Sequence, residues 1–308
     1  MQSSINKLDE NGMASTLPKV LVGIVTHNRA DVLPKAIGSA LSQLDCNVRV
    51  SVIDDGSTDA TPEVARKFPE VEWTQWMPGR GYMAARNYWM ASSDAAYFVS
   101  LDEDAWFLRG DEIDLAVAYM ERHPQTAALA FDILSPDRPD TVPREDPRPA
   151  AMFIGCGHLL RLSAVRNVGV YEATPGSYGG EEKDLCLRLM DAGHNIVMMR
   201  GVHVWHDKTM LARDVDAQHR SGVCNDLVMT LRRTPVLVLP LALLTKTFRH
   251  LMHARKHKLL RPCLEGFALF AKSVPDALRM RRPVKNATLR EFLNLTRKNS
   301  SKPVDSRP

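Results

Sequence analysis

Three strand-like runs, residues 19–25, 48–53 and the apolar 95–101, each end abruptly in a polar cluster, with helix-like segments between them. The first is followed by Thr26-His27-Asn28-Arg29, the second by Asp54-Asp55-Gly56-Ser57 and the third by Asp102-Glu103-Asp104. Short, continuous aliphatic runs suit strands buried on both faces. Between the first two, Asp31 is placed as an N-cap and Pro34 fits a first turn. Leu33, Ile37, Leu41 and Leu44 recur at helical spacing, so residues 31–44 should lay one face on a sheet. Residues 58–67 read as a second, shorter helix. Strand and helix in alternation predict an α/β fold, a mostly parallel sheet flanked by helices, with ligands outside the carboxyl ends of the strands. All three polar clusters fall on that edge. Three carboxylates there repel one another unless a cation sits among them. Asp102, Glu103 and Asp104 therefore predict a Mg²⁺ or Mn²⁺ site holding a phosphorylated ligand. A water-facing acidic loop is the plainer alternative.

Further along, residues 111–123 read as an amphipathic helix, 127–134 as a strand, and 135–150, dense in Pro, Asp and Arg, as a surface loop. Tyr178-Gly179-Gly180-Glu181-Glu182-Lys183-Asp184 then leads into the apolar positions Leu185, Leu187 and Leu189. The acidic residues suit the first turn of a helix, whose dipole favours negative charge. A carboxylate on a rigid helix start behind two glycines is equally well placed to act as a general base. Residues 196–199 form another strand-like run, and His203 and His206 follow it as alternative metal ligands.

With 308 residues and 44% hydrophobic content, the chain can bury one large core and carry a smaller appendage. Its five cysteines have an odd count and no metal-ligand spacing, which favours reduced thiols and a cytoplasmic setting. The first 16 residues lack an apolar core, so no secretory leader is expected and residues 1–17 read as a loose tail, as do 301–308. The net charge of +4 hides a strong segregation: residues 231–308 hold 18 Lys and Arg against 4 Asp and Glu, leaving 22 against 32 for the rest. Residues 213–300 are thus expected to form a basic helical extension. Its apolar run, 236–244, is too short to span a bilayer, which needs about 20 apolar residues. Two readings stand for it: an interfacial helix on anionic lipid at the inner membrane face, or a helical pair with a solvated basic face. Nucleic acid is not an expected partner, because no recognition module accompanies the charge.

The ordered set Thr26-His27-Asn28-Arg29, Asp54-Asp55-Gly56-Ser57-Thr58-Asp59, Gly79-Arg80-Gly81 with Ala85-Arg86-Asn87, Asp102-Glu103-Asp104, and Glu181-Glu182-Lys183-Asp184-Leu185 with Arg188 resembles a family 2 glycosyltransferase of the GT-A, Rossmann-like fold. The resemblance covers about residues 18–212. It implies inverting transfer of a sugar from a nucleotide-sugar donor to an acceptor hydroxyl, on a saccharide or lipid-linked saccharide of envelope polysaccharide synthesis. It implies donor contacts from Thr26, Asn28, Arg29, Asp54, Asp55, Arg86, Asp102 and Glu103. Mn²⁺ or Mg²⁺ would be held by Asp102 and chiefly Asp104, with His206 in the position of a histidine that approaches metal or diphosphate in many relatives; His203 is the alternative. Glu182 falls at the catalytic base, where the family usually carries Glu-Asp, a difference of one methylene; Glu181 is the alternative. Three rivals share parts of this pattern. A haloacid-type phosphatase would follow its aspartate with Asp-x-Thr or Asp-x-Val, whereas Ala105-Trp106 follows Asp104. A nucleotidyltransferase would carry a glycine-rich phosphate loop after the first strand. A non-catalytic nucleotide-sugar binder is favoured only by the altered base position.

Overall fold

The computed structural model describes residues 18–44, 47–139, 146–207 and 214–300. Strand β1 (Lys19–Thr26), helix α1 (Leu33–Leu41), β2 (Asn47–Asp54), α2 (Thr61–Lys67), β3 (Glu72–Gln75), α3 (Tyr82–Ser92) and β4 (Tyr97–Asp102) form the alternating N-terminal half. They are followed by β5 (Ala105–Phe107), α4 (Glu112–Arg122), β6 (Thr126–Leu134), β7 (Arg148–Pro149), β8 (Gly157–Arg161), α5 (Leu162–Val168), α6 (Glu181–Asp191) and β9 (Asn195–His206). Four helices close the described chain: α7 (Val215–Arg233), α8 (Leu239–His257), α9 (Leu260–Arg279) and α10 (Asn286–Ser300). The expected limits at residues 1–17, 212 and 301–308, and residues 140–145 of the expected surface loop, lie outside the described residues.

The strands join one mixed α/β sheet in the order β3-β2-β1-β4-β8-β6-β9-β5, with β7 pairing β9. From β3 to β4 it is parallel, as is the β6–β9 pair, while β8 runs antiparallel between β4 and β6. Register aligns Thr26 with Asp54 and Val25 with Asp102, so the three polar clusters end neighbouring strands at one sheet edge. Two apolar layers cover the sheet. Leu33 and Ile37 of α1 pack with Ile113 and Met120 of α4 on one face; Trp89 and Met90 of α3, Val165 of α5 and Leu185 and Leu189 of α6 cover the other.

One local expectation needs correction. Helix α1 is preceded by Val32, with no side-chain cap, and Asp31 is exposed. The amides of Val32 and Leu33 instead reach the Arg29 carbonyl at 3.3 and 3.1 Å, so the turn itself occupies donors that a cap would have taken. Pro240, within the apolar run 236–244, stands in the first turn of α8, where a missing N–H costs nothing.

Candidate active site

Asp55, at the end of β2, accepts from the backbone amides of Arg80 at 2.5 Å and Gly81 at 2.8 Å, at the entrance to α3. A Cβ on Gly79 would lie 2.4 Å from the Asp55 carbonyl oxygen, so this close approach needs glycine. Asp54 is turned inward: it is buried, accepts from the Ser57 amide at 2.8 Å and from Gln75 Nε2 at 3.4 Å, and shapes the turn. Asn28 adopts φ +54°, donates its backbone amide to the Ser57 hydroxyl oxygen at 2.9 Å and accepts from the Thr58 amide on its side-chain oxygen at 2.7 Å. Thr26 is buried, its hydroxyl without a hydrogen-bond partner. These residues brace the β1 and β2 loops against each other.

A second group runs across the sheet edge as two short chains of charged contacts that meet near His206 and Asp102. Arg29 Nη2 stands 3.7 Å from Asp104 Oδ2, and Asp104 Oδ1 is 3.2 Å from His206 Nε2. His206, Asp102 and Cys156 each present a ligand atom, and these atoms lie within 4.8 Å of one another. Arg86 Nη2 donates to Asp102 Oδ1 at 2.7 Å, and Arg86 Nη1 stands 3.9 Å from Glu182 Oε1. Burial alone would lower the Arg86 pKa, but Asp102 and then Tyr171 and Glu182 outweigh it and hold the guanidinium charged. Glu103 is half-buried, and burial followed by the charge of Asp102 pushes its carboxyl up to about 7.

Of the two histidines, His206 is the one beside Asp104. The β6–β9 register shifts between Phe131 and Asp132, so that Met199 pairs with Phe131 but His203 with Asp132. Such an irregularity re-aims the side chains that follow it. His203 Nε2 comes to 4.0 Å from Asp132 Oδ2, and Arg138 holds the other oxygen of Asp132 at 2.7 Å.

The two glutamates at the start of α6 are likewise separated. Glu181 is buried and accepts from the Tyr82 hydroxyl at 2.6 Å, whereas Glu182 faces Arg86. Burial, then the neighbouring charge of Glu181, raises Glu182 to about 7, with Arg86 pulling in the opposite direction. A carboxylate tuned close to neutral pH suits proton abstraction. Gly180 precedes α6 with φ +102°, and Asn225 of α7 fastens the loop before it. Asn225 accepts from the Gly176 amide at 2.8 Å and donates to the carbonyls of Gly176, Tyr178 and Gly179 at 3.0, 3.1 and 2.8 Å. Asp184, two residues past Glu182, binds Arg233 of α7 at 2.6 Å. Helix α7 thus helps to position this glutamate.

Gly155, Cys156, Tyr82 and Asn225 were not singled out from sequence. A signal existed for the first two in Gly155-Cys156-Gly157, a small-residue bracket around a cysteine. A Cβ on Gly155 would lie 2.6 Å from Glu182 Oε1 and 2.9 Å from Arg86 Nη1. Gly155→Ala should therefore displace both groups and lower kcat by about 10- to 100-fold, as misplacement near 1 Å does, with a near-wild-type melting temperature. Steady-state kinetics beside a thermal melt checks this.

An α/β sheet with its loops gathered around acidic, imidazole and guanidinium groups at one edge has the layout of the GT-A fold. The family model described as Glycosyl transferase family 2 matches residues 21–169, just under half of the chain. EpsE of Bacillus subtilis (strain 168) is 26% identical over 219 residues, covering 66% of this chain and 76% of EpsE. Seven further curated relatives match over 90 to 112 residues, only 11% to 36% of their own lengths, and two of them are named succinoglycan biosynthesis proteins. Among solved structures, S. aureus TarS 1-349 in complex with UDP-GlcNAc aligns with a TM-score of 0.62 and 15% identity, covering 90% of this chain and 83% of TarS 1-349. The mannosyltransferase PcManGT from Pyrobaculum calidifontis, in complex with GDP-Man and Mn²⁺, aligns with a TM-score of 0.56 and 15% identity, covering 94% and 82%.

Proposed function

We propose that this glycosyltransferase moves a sugar from a nucleotide-sugar donor to an acceptor hydroxyl with inversion, Glu182 acting as the base. The observation that carries the reading is the contact chain Arg29–Asp104–His206 and Asp102–Arg86–Glu182, which sets cation ligands and a near-neutral carboxylate along one edge. The donor set suits a divalent ion: His206 Nδ1 is buried without a hydrogen-bond partner, and carboxylates flank it. Asp102, Asp104 and His206 would hold Mn²⁺ or Mg²⁺, which when bound neutralises the diphosphate leaving group. Glu182 takes the acceptor proton as the acceptor oxygen bonds to the anomeric carbon and the bond from that carbon to the diphosphate breaks on the opposite face. Arg86, locked by Asp102, restrains Glu182 and adds positive charge beside the leaving group. Asp55 fixes the entrance to α3, and Arg29, Asn28 and Thr26 frame the nucleoside side. The single base and good leaving group need no close pair of carboxylates, unlike a retaining glycosidase. Anomeric configuration of the product, read by proton NMR, tests the reading: inversion supports it and retention overturns it.

The acceptor in this proposal is a saccharide or lipid-linked saccharide of envelope polysaccharide synthesis, approached from the inner membrane face. Support comes from α8. Its inner side carries buried Ala254, together with Lys246 and His250, which both bind Asp226 of α7. Leu241, Leu244, Phe248 and Met252 are exposed along the outer side at helical spacing, with exposed Arg249, Arg255 and Lys256 beside them. An apolar stripe edged by cations matches an anionic lipid surface. Among the described residues no helix is long and apolar enough to cross a membrane. The wild type should float with liposomes rich in phosphatidylglycerol at low salt, and a Leu244→Glu, Phe248→Glu variant should not. Equal flotation of both, or none by the wild type, contradicts this assignment.

A further inference from the structure

Cys156 lies among the groups that the proposed cation site would use. Antiparallel pairing of β4 with β8 sets Leu101 opposite Gly157, and continuing that register by one residue brings Cys156 opposite Asp102. The cysteine is buried and in no disulfide, and its Sγ is within 4.8 Å of both a carboxylate oxygen of Asp102 and a ring nitrogen of His206. His206 is itself arranged as a ligand. Its Nε2 stands 3.2 Å from Asp104 Oδ1, while its Nδ1 is buried and has no hydrogen-bond partner. A proton on Nε2 directed at a carboxylate leaves the Nδ1 lone pair available, the arrangement by which a carboxylate orients a metal-bound imidazole. Arg86 occupies Oδ1 of Asp102, and a carboxylate has a second oxygen to offer.

Resting on the reading of this edge as a cation site, we propose that Cys156 is a fourth ligand there, adding a thiolate to the carboxylate and imidazole donors and making a set that holds Zn²⁺ and Co²⁺ more tightly than Mn²⁺ or Mg²⁺. Carboxylate oxygens alone suit hard ions, whereas a thiolate favours softer ones, and affinity along the first-row series already rises from Mn²⁺ toward Zn²⁺. On binding, the thiol gives its proton to solvent and the sulfur lone pair to the metal. The ion that supports transfer and the ion that binds most tightly are then different, and Zn²⁺ competes with Mn²⁺ for one site.

The test is spectroscopic and uses the full chain. Titration of the wild type with Co²⁺ should produce a thiolate-to-cobalt charge-transfer band in the near ultraviolet. The Cys156→Ser and Cys156→Ala variants should lack that band. Zn²⁺ should displace Mn²⁺ from the wild type, followed by the electron paramagnetic resonance of released Mn²⁺, at least about tenfold more readily than from Cys156→Ser. Mn²⁺ binding to a wild type whose Co²⁺ form shows no charge-transfer band overturns the role of Cys156 and leaves the cation site standing. Failure of the wild type to bind either ion, with nucleotide present or absent, overturns the cation site and this proposal together. The wild-type spectrum decides even if both variants fold poorly.

Discussion

Glu182→Gln should reduce sugar transfer by about 10²- to 10⁴-fold, the range that a positioned general base supplies. Glutamine keeps the shape of the side chain and cannot accept the acceptor proton, so donor affinity should stay near wild type. Stability gives an independent sign. Burial and Glu181 lift the Glu182 carboxyl from 4.5 to about 7, so the folded chain holds that proton more tightly than the unfolded chain does. The ionised form therefore costs stability, and this cost appears as pH rises from the unfolded value through about 7. The variant should melt no lower than the wild type at pH 8. For the wild type, a base must be ionised to work, so kcat/KM should fall as pH drops through about 7, and the variant should lose that limb. Transfer by the variant within a few-fold of wild type would remove Glu182 from the reaction.

Asp104→Asn is expected to act on the other half of the reaction. Asp104 touches His206 on one side and Arg29 on the other, so loss of its charge weakens a cation ligand and unseats the imidazole next to it. Mn²⁺-dependent nucleotide affinity should drop about 100-fold, comparable to the upper effect of losing a partner that orients a metal ligand. Affinity measured without Mn²⁺ should change little. Calorimetric titration of the nucleoside diphosphate with and without Mn²⁺ separates the two quantities. Equal Mn²⁺ enhancement in wild type and variant would contradict this role.

The parts of the fold readable in sequence are those whose signal is local. Strands β1 and β4 are largely apolar runs and β2 an alternating one, all ending in polar clusters, and Leu33 and Ile37 mark the buried side of α1. Strand β8 spans only five residues and carries no alternation of its own, yet its antiparallel insertion decides how the sheet continues past β4. The same distinction runs through the site. Asp55, Asp104 and Glu182 end or begin strongly patterned elements, so their place at one edge follows from the order of strands and helices. Cys156 reaches that edge through the pairing of β4 with β8, and Asn225 reaches Gly176 from α7, a contact between residues 49 apart in sequence. Long-range register of this kind leaves no periodic trace in the residues themselves. The separation of His206 from His203 has a similar origin, since it depends on the shift where β9 meets β6.

The central claim is that a cation-held diphosphate and Glu182 face each other across one cleft. Melting temperatures of the wild type, Glu182→Gln and Asp104→Asn across a panel of nucleotide sugars, each with and without Mn²⁺, test it most directly. A donor present at about 100 times its Kd adds about 2.7 kcal/mol, which raises the melting temperature of a chain this size by about 4 °C. One donor should give that shift with Mn²⁺ in the wild type and in Glu182→Gln, and should give it in neither protein without Mn²⁺; Asp104→Asn should show no shift in either condition. A donor that stabilises all three proteins equally, regardless of Mn²⁺, would contradict the claim.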